Sequence, residues 1–356
     1  CIRDRVWGAQ LILALQDLGH EFVVVTSHDY LDLPDTGDYS GVPIHRFPFR
    51  TALPKGDVVG LVRALRQVEA LFSEFAPDLV HLSGVGASSS AFLQARIADP
   101  PPLFVTVNHE ILDDIGAGPE TLTGKVLSRA DWVSCVSAEV LRQVREWRPE
   151  TTDRSSVNYT GIEEPMLTTP PAPPSAHTLL FVGRLVPNKG VDVALRAIAQ
   201  ITDRFPDLRL VVAGDGSERP SLEQQAAQLG LGEVVEFAGW VDPSEIPDLM
   251  ASATAIVMPS RREGLPIVAS QAALMGRPIV ATPVAGNPEI VIHGETGLLV
   301  ETENADALAE ALALVLDDPE MAARMGQAAR RRGLEMFSLS SCVSAHDALY
   351  RKLAAE

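Results

Sequence analysis

The run LLFVGR, residues 179–184, is apolar until it reaches Gly183 and Arg184, and Asn188, Lys189 and Gly190 follow closely. Two cations on a loop between a strand and a helix suit an anion such as a phosphate. The helix start adds unpaired N–H groups and a partial positive charge. The same pair also reads as two solvated surface charges. LRLVVAGDG (208–216) ends in Gly214 and Asp215, residue types that a tight turn uses with or without a ligand. TAIVMPS (254–260) leads into Arg261-Arg262-Glu263-Gly264-Leu265-Pro266-Ile267. Pro266 suits the first turn of a helix. Gly264 permits close backbone approach. The N–H groups of Gly264 and Leu265 beside the Glu263 carboxylate make a binder for a polyhydroxyl ring. Gln271 lies eight positions after Glu263, flanked by Ile267, Val268, Ala272 and Leu274, and is expected to be buried. A buried amide needs partners, either a neighbouring loop or a ligand. In the first half of the chain, LFVTV ends in Asn108, His109 and Glu110. His at a strand's C-terminal end is well placed for proton or ligand chemistry. His81, inside the apolar run DLVHLSG, reads as a core or cleft-wall residue.

These residues need strands to carry them. β-rich runs at 21–27, 78–84, 103–110 and 132–137 alternate with helical patterns, the clearest at 58–75. Such alternation implies α/β structure with a parallel sheet covered on both faces. EEPMLTTPPAPPSA (163–176) reads as a linker, because proline continues neither helix nor ladder. The alternation restarts at 179–184, 208–216, 234–239, 254–260, 277–282 and 296–301, and helical segments over about 304–333 and 340–354 end the chain. In such sheets ligands bind beyond the C-terminal strand ends, where the residues above lie.

Of the 356 residues 46% are hydrophobic, enough for two domains with sizeable cores. The formal charge of −18 disfavours nucleic acid and anionic lipid. No apolar run reaches the length of a membrane span. Cys1, Cys135 and Cys342 have neither metal spacing nor even pairing, which points to a reducing, cytoplasmic setting. No Asp-x-Asp triplet occurs, so phosphate charge is expected to be met by protein cations, with no metal and no cofactor.

Taken in order, FVGRLVPNKG, LVVAGDGS, VEFAGWV, MPSRREGLPIVASQAALMGRPIVAT and AGNPEIVIHGETGLLV resemble the retaining nucleotide-sugar glycosyltransferases of the GT-B fold. The resemblance is to the group 1, or family 4, type that includes sucrose-phosphate synthase and bacterial mannosyl- and N-acetylglucosaminyltransferases. GHEFVVVTS, PDLVHLSG, VNHE, ADWVSCVS and NYTGIE echo the first domain less specifically. The resemblance implies two Rossmann-like domains facing a cleft. Residues 1–162 would bind the acceptor, 163–176 link, 177–338 bind the nucleotide sugar, and a helix over 339–356 cross back to the first domain. It implies that Arg184 and Lys189 bind the donor diphosphate. Glu263 contacts sugar hydroxyls with Gly264 and Leu265, and His109 lies near the anomeric centre. Gly183, Gly214, Asp215, Pro266 and Ile267 join the donor side; His81 and Asn108 join the acceptor side. Two departures stand out. Gln271 occupies the position of the family's second Glu, which binds ribose. The family's opening strand and Gly-Gly loop find no match in CIRDRVWGAQ, so the start is expected to be incomplete, and 111–124 is expected to hide an acceptor loop.

The expected activity is retaining, metal-independent transfer of a sugar from a nucleoside diphosphate to the hydroxyl of a small soluble acceptor. Three rivals stay open: an epimerase or phosphorylase on a similar scaffold, a weakly active sugar-nucleotide binder, and a nicotinamide dehydrogenase. The last lacks its G-x-G-x-x-G.

Overall fold

The structure, a computed structural model, describes residues 6–28, 32–52, 55–110, 118, 120–164 and 177–355. Cys1, residues 111–117 and most of the proline-rich segment thus lie outside the described residues. The chain divides into two compact units, one of Cys1–Gly161 with Leu339–Glu356, the other Ile162–Ser338.

The first unit runs α1 (Val6–Gln16), β1 (Val24–Ser27), β2 (Thr36–Tyr39), β3 (Val42–Phe47), α2 (Phe49–Ala52), α3 (Val58–Phe75), β4 (Val80–Ser83), α4 (Ala87–Gln94), β5 (Leu103–Val107), α5 (Leu122–Arg129), β6 (Trp132–Cys135), α6 (Ala138–Trp147) and β7 (Ser155–Val157). The helix starts follow side-chain chemistry. Asp57, Thr121 and Ser137 each accept the N–H three residues on, satisfying a donor the helix leaves open. The expected single parallel sheet is here two sheets. β4, β5, β6 and β7 pair in parallel, whereas β1, β3 and β2 form a separate sheet in which β2 runs antiparallel to β3. The antiparallel pairing follows from a tight hairpin: Ser40 and Gly41 both have positive φ, 52° and 86°, the backbone of a two-residue turn that reverses the chain. The strand TGDY is exposed throughout, so apolar patterning carries no sign of it. On α3, Val58, Val59 and Val62 are exposed beside the exposed Lys55, Arg63 and Arg66.

The second unit runs β8 (Thr178–Val182), α7 (Val191–Ile201), β9 (Arg209–Ala213), α8 (Arg219–Gln228), β10 (Val235–Gly239), α9 (Ile246–Ser252), β11 (Ala255–Met258), α10 (Ile267–Leu274), β12 (Ile279–Ala281), α11 (Asn287–Ile290), β13 (Gly297–Leu299), α12 (Ala305–Asp317) and α13 (Pro319–Met336). Its six strands lie in the order β10-β9-β8-β11-β12-β13, all parallel. The order reverses between β8 and β11, which makes their carboxyl ends the switch point where ligands bind in such sheets. Leu179, Phe181, Leu195, Ile198, Leu210, Val212, Val257 and Leu312 fill the core. At roughly 1.5–3 kcal/mol for each large apolar side chain, they hold the strand ends in register.

The last helix, α14 (Leu339–Ala354), belongs to the first unit. Its Cys342, Val343, Tyr350 and Leu353 pack with Leu11, Leu15 and Phe104.

Candidate functional site

The loops after β8, β9 and β11 of the second unit carry the candidate donor residues. After β8, Gly183 leads to Arg184, which is exposed and whose side chain makes no hydrogen bond to a described residue. A single turn of 3₁₀ helix, Pro187–Lys189, ends at Gly190 with φ 67°. A Cβ at Gly190 would lie 2.0 Å from the carbonyl oxygen of Pro259, so only glycine allows the β8 loop to touch the β11 loop here. After β9, Gly214 carries the same constraint, with Gly183 O 1.8 Å from the position of a Cβ. Asp215 is exposed and engaged locally: it accepts the N–H of Gly216 at 2.8 Å and pairs with Arg219 at 3.1 Å.

The loop between β11 and α10 brings Glu263 to Lys189. Lys189 Nζ donates to both carboxylate oxygens, at 2.7 and 2.8 Å. Ser260 Oγ donates to Oε1 at 2.7 Å. The Glu263 side chain is 7% exposed and that of Lys189 20%, so the pair stands at the mouth of the loops rather than in bulk water. Two residues singled out for different roles, phosphate binding and sugar binding, therefore neutralise each other in this structure.

Arg261, to which sequence reasoning gave no role, ties the β11 loop to the β8 loop beside the pair. Its guanidinium grips Asp192 through two bonds of 2.8 Å and also reaches Glu303 and the carbonyl of Pro187. Its backbone N–H donates to Asn188 O at 2.8 Å. Asp192, at the start of α7, is pushed up by burial, but Arg261 and Arg196 prevail and hold its carboxyl below the usual range. Only the placement of two arginines next to a strand end could have hinted at this clamp.

Two expectations for α10 need correction. Pro266 is not in the first turn. It precedes the helix with φ −75° and ψ 114°, and Ile267 is the first helical residue. Gln271 is not buried. It is partly exposed, its side chain makes no hydrogen bond to a described residue, and it shares a face with Ile267, itself 42% exposed. The burial side of α10 is carried by Ala269, Ser270, Ala272, Ala273 and Leu274, which leaves the other face open. The N–H groups of Gly264 and Leu265 donate to no described residue, while Gly264 O accepts from Gly286 N at 2.8 Å.

The remaining candidates sit in the first unit. Asn108 and His109 follow β5; His109 is exposed, with Nδ1 3.4 Å from the carbonyl of Glu110. His81 has both ring nitrogens engaged within the fold. Nδ1 lies 2.6 Å from the Tyr350 hydroxyl and Nε2 2.7 Å from that of Thr106, with Phe104 edge-on to the ring. Burial, helped by His346, lowers its pKa to about 3. These two bonds tie α14 to β4 and β5.

Two Rossmann-like parallel α/β units, the second with cations and a carboxylate at its switch point, define the GT-B class of fold. The sequence comparisons give the family. A model described as "Glycosyl transferases group 1" matches residues 169–332, and one described as "Glycosyl transferase 4-like domain" matches residues 8–156. The chain belongs to this group 1, family 4 type of GT-B glycosyltransferases. It is 35% identical over 175 residues to the alpha-D-kanosaminyltransferase of Streptomyces kanamyceticus, covering 49% of this chain and 45% of that protein. It is 39% identical over 187 residues to the D-inositol 3-phosphate glycosyltransferase of Streptomyces avermitilis, covering 50% and 40%. The matches thus span less than half of those relatives' own length. Among solved structures, sucrose-phosphate synthase from Thermosynechococcus elongatus shares the fold with a TM-score of 0.83 at 22% identity, over 99% of this chain and 94% of that one. Among the described residues no helix is long and apolar enough to cross a membrane.

Proposed function

We propose that the protein moves a sugar from a nucleoside diphosphate to a hydroxyl acceptor, with retention at the anomeric carbon and without a divalent metal. The observation that carries the reading is the Lys189–Glu263 pair at the switch point of the second unit. As the glycosidic bond breaks, negative charge gathers on the departing phosphate, and Arg184 and Lys189 stabilise it, an effect that contributes several kcal/mol in such sites. Donor binding exchanges partners. Phosphate oxygens replace Glu263 as the acceptors of Lys189, and sugar hydroxyls replace Lys189 as donors to Glu263. The N–H groups of Gly264 and Leu265 and the amide of Gln271 serve the same ligand, the amide at the ribose. The absence of any Asp-x-Asp triplet supports the metal-free leaving step. Retention and a role for His109 near the reacting carbon rest on family likeness.

Incubation with a panel of nucleoside-diphosphate sugars, with and without EDTA, tests this. Release of nucleoside diphosphate that depends on an added hydroxyl acceptor and survives EDTA is expected, with the product anomer matching the donor. Interconversion of donor sugars without an acceptor points instead to an epimerase, and binding without turnover to a sugar-nucleotide binder.

The net acidity favours a small soluble acceptor. One observation favours a second reading: exposed Val58, Val59 and Val62 lie beside Lys55, Arg63 and Arg66, a combination suited to an anionic lipid surface. Co-sedimentation with anionic vesicles, weakened by replacing the valines with Ser, decides for a lipid-borne acceptor.

A further inference from the structure

We propose that Ser260 is a positioning residue that holds the Glu263 carboxylate in place while its other partner leaves. The inference rests on the transferase reading above.

Glu263 Oε1 accepts from both Ser260 Oγ and Lys189 Nζ, and Oε2 accepts from Lys189 alone among the described residues. A carboxylate offers about four acceptor sites, so room remains for hydroxyl donors. Lys189 is partly exposed and turns to phosphate when the donor arrives. Ser260 is 1% exposed and stays. Without its hydroxyl, the carboxylate would lose its remaining protein donor at the moment it must align with the sugar.

Ser260 is itself braced from the neighbouring strand end. Its carbonyl accepts from the hydroxyl of Thr282, 1% exposed, just after β12. The Thr282 carbonyl accepts from Asn287 Nδ2 at 2.8 Å, and Asn287 is fully buried. At the other end of the loop, Gly286 N holds Gly264 O at 2.8 Å, and a Cβ at Gly286 would lie 2.6 Å from that oxygen. The segment 282–287 thus fixes both sides of Glu263, through Ser260 and through Gly264. The run AGNPE is therefore the scaffold behind the acid. Buried hydrogen-bond chains of this kind fix geometry, and an error of about 1 Å in a reacting group can cost about a hundredfold in rate.

Ser260→Ala removes the one donor, and Ser260→Thr keeps it. Steady-state transfer kinetics, nucleoside-diphosphate affinity by calorimetry and thermal melts are measured for wild type and both variants, with Ser260→Cys as a second conservative variant if Thr does not fold. The expected result for Ala is kcat lower by about ten- to a hundredfold, diphosphate affinity within about twofold of wild type because Arg184 and Lys189 are untouched, and recovery of kcat in the variant that keeps a donor. Wild-type kcat in Ser260→Ala overturns the proposal. So does a loss that appears equally in diphosphate affinity and melting temperature, which marks a structural role. Failure of wild type to transfer from any nucleoside-diphosphate sugar overturns the transferase reading and this inference with it; normal wild-type transfer with an unaffected Ala variant overturns this inference alone.

Discussion

Lys189 Nζ bridges the two oxygens of Glu263, at 2.7 and 2.8 Å, across loops that follow two adjacent strands. Removing the lysine therefore does two things. On the proposed reading it takes a cation from the leaving phosphate, and in the structure it leaves a carboxylate that is 7% exposed with Ser260 as its side-chain donor. Lys189→Ala is expected to lower turnover by about 2–4 kcal/mol of transition-state stabilisation and to destabilise the free protein by about 1–3 kcal/mol. Lys189→Met combined with Glu263→Gln should recover the melting temperature without recovering turnover. Near-normal turnover in folded Lys189→Ala would remove the phosphate role.

Arg261 ties together the two loops that carry the pair. Its fork meets the Asp192 carboxylate through two parallel bonds, a geometry an ammonium cannot copy. Arg261→Lys keeps the charge and should still lower kcat, by about tenfold or more, because the β8 and β11 loops lose their common anchor. A kcat equal to wild type, at any melting temperature, counts against the clamp.

The second unit was legible because its strands are continuous apolar runs closed by Gly and charged residues, a pattern a buried parallel sheet imposes. All six strands and the loops that carry Arg184, Lys189 and Glu263 follow from it. The first unit was less legible: TGDY is an exposed strand with no apolar pattern, and its turn is announced only by Ser40-Gly41. Within the site, residue types could be read but pairings could not. That Lys189 meets Glu263, that Arg261 holds Asp192, and that His81 spends both nitrogens on Thr106 and Tyr350 are long-range contacts that no local spacing encodes. Gln271 was misplaced for a related reason. Apolar neighbours on both sides suggested burial, yet α10 covers only one face.

Gly190 connects the two loops by the absence of a side chain. With φ 67° and a Cβ site 2.0 Å from Pro259 O, Gly190→Ala meets backbone strain and a clash with a carbonyl together. A loss of at least about 2 kcal/mol is expected, seen as a lower denaturant midpoint with the slope unchanged. A neutral effect would mean that the loops part easily and that Lys189 is not held by them.

The first unit should weaken in acid through His81. Burial, with His346 beside it, lowers its pKa from 6.5 to about 3. Between those values the unfolded chain carries the extra proton and the folded one does not, so stability falls as pH falls. The contribution is whole above pH 6.5 and lost on the way to about pH 3. His346, also lowered by burial, acts in the same direction. Thermal melts from about pH 7 to about pH 4 should show a shallower pH dependence for His81→Gln than for wild type, even if the variant is less stable throughout. Equal slopes would show that His81 takes up its proton without unfolding.

Gln271 offers the sharpest separation of ligand binding from stability. Its side chain is partly exposed and makes no hydrogen bond to a described residue, so the fold asks nothing of the amide. Gln271→Glu should therefore leave the stability of the free protein within about 0.5 kcal/mol of wild type, as surface changes away from special features do. On the proposed reading its effect falls on the nucleotide. A carboxylate accepts hydroxyl hydrogen bonds more strongly than an amide, by about 1 kcal/mol. Against this stands its repulsion of the diphosphate, which Lys189 and the exposed Arg184 offset. Partial exposure also spares the new charge most of the desolvation that a buried site would impose. The balance predicts a nucleoside-diphosphate Kd about fivefold tighter, with the gain confined to ligands that carry ribose: inorganic pyrophosphate should bind the two proteins alike. Calorimetry with both ligands reads this directly. A tightening for pyrophosphate as well, or a fall in melting temperature with no change in either affinity, would take Gln271 away from the ribose.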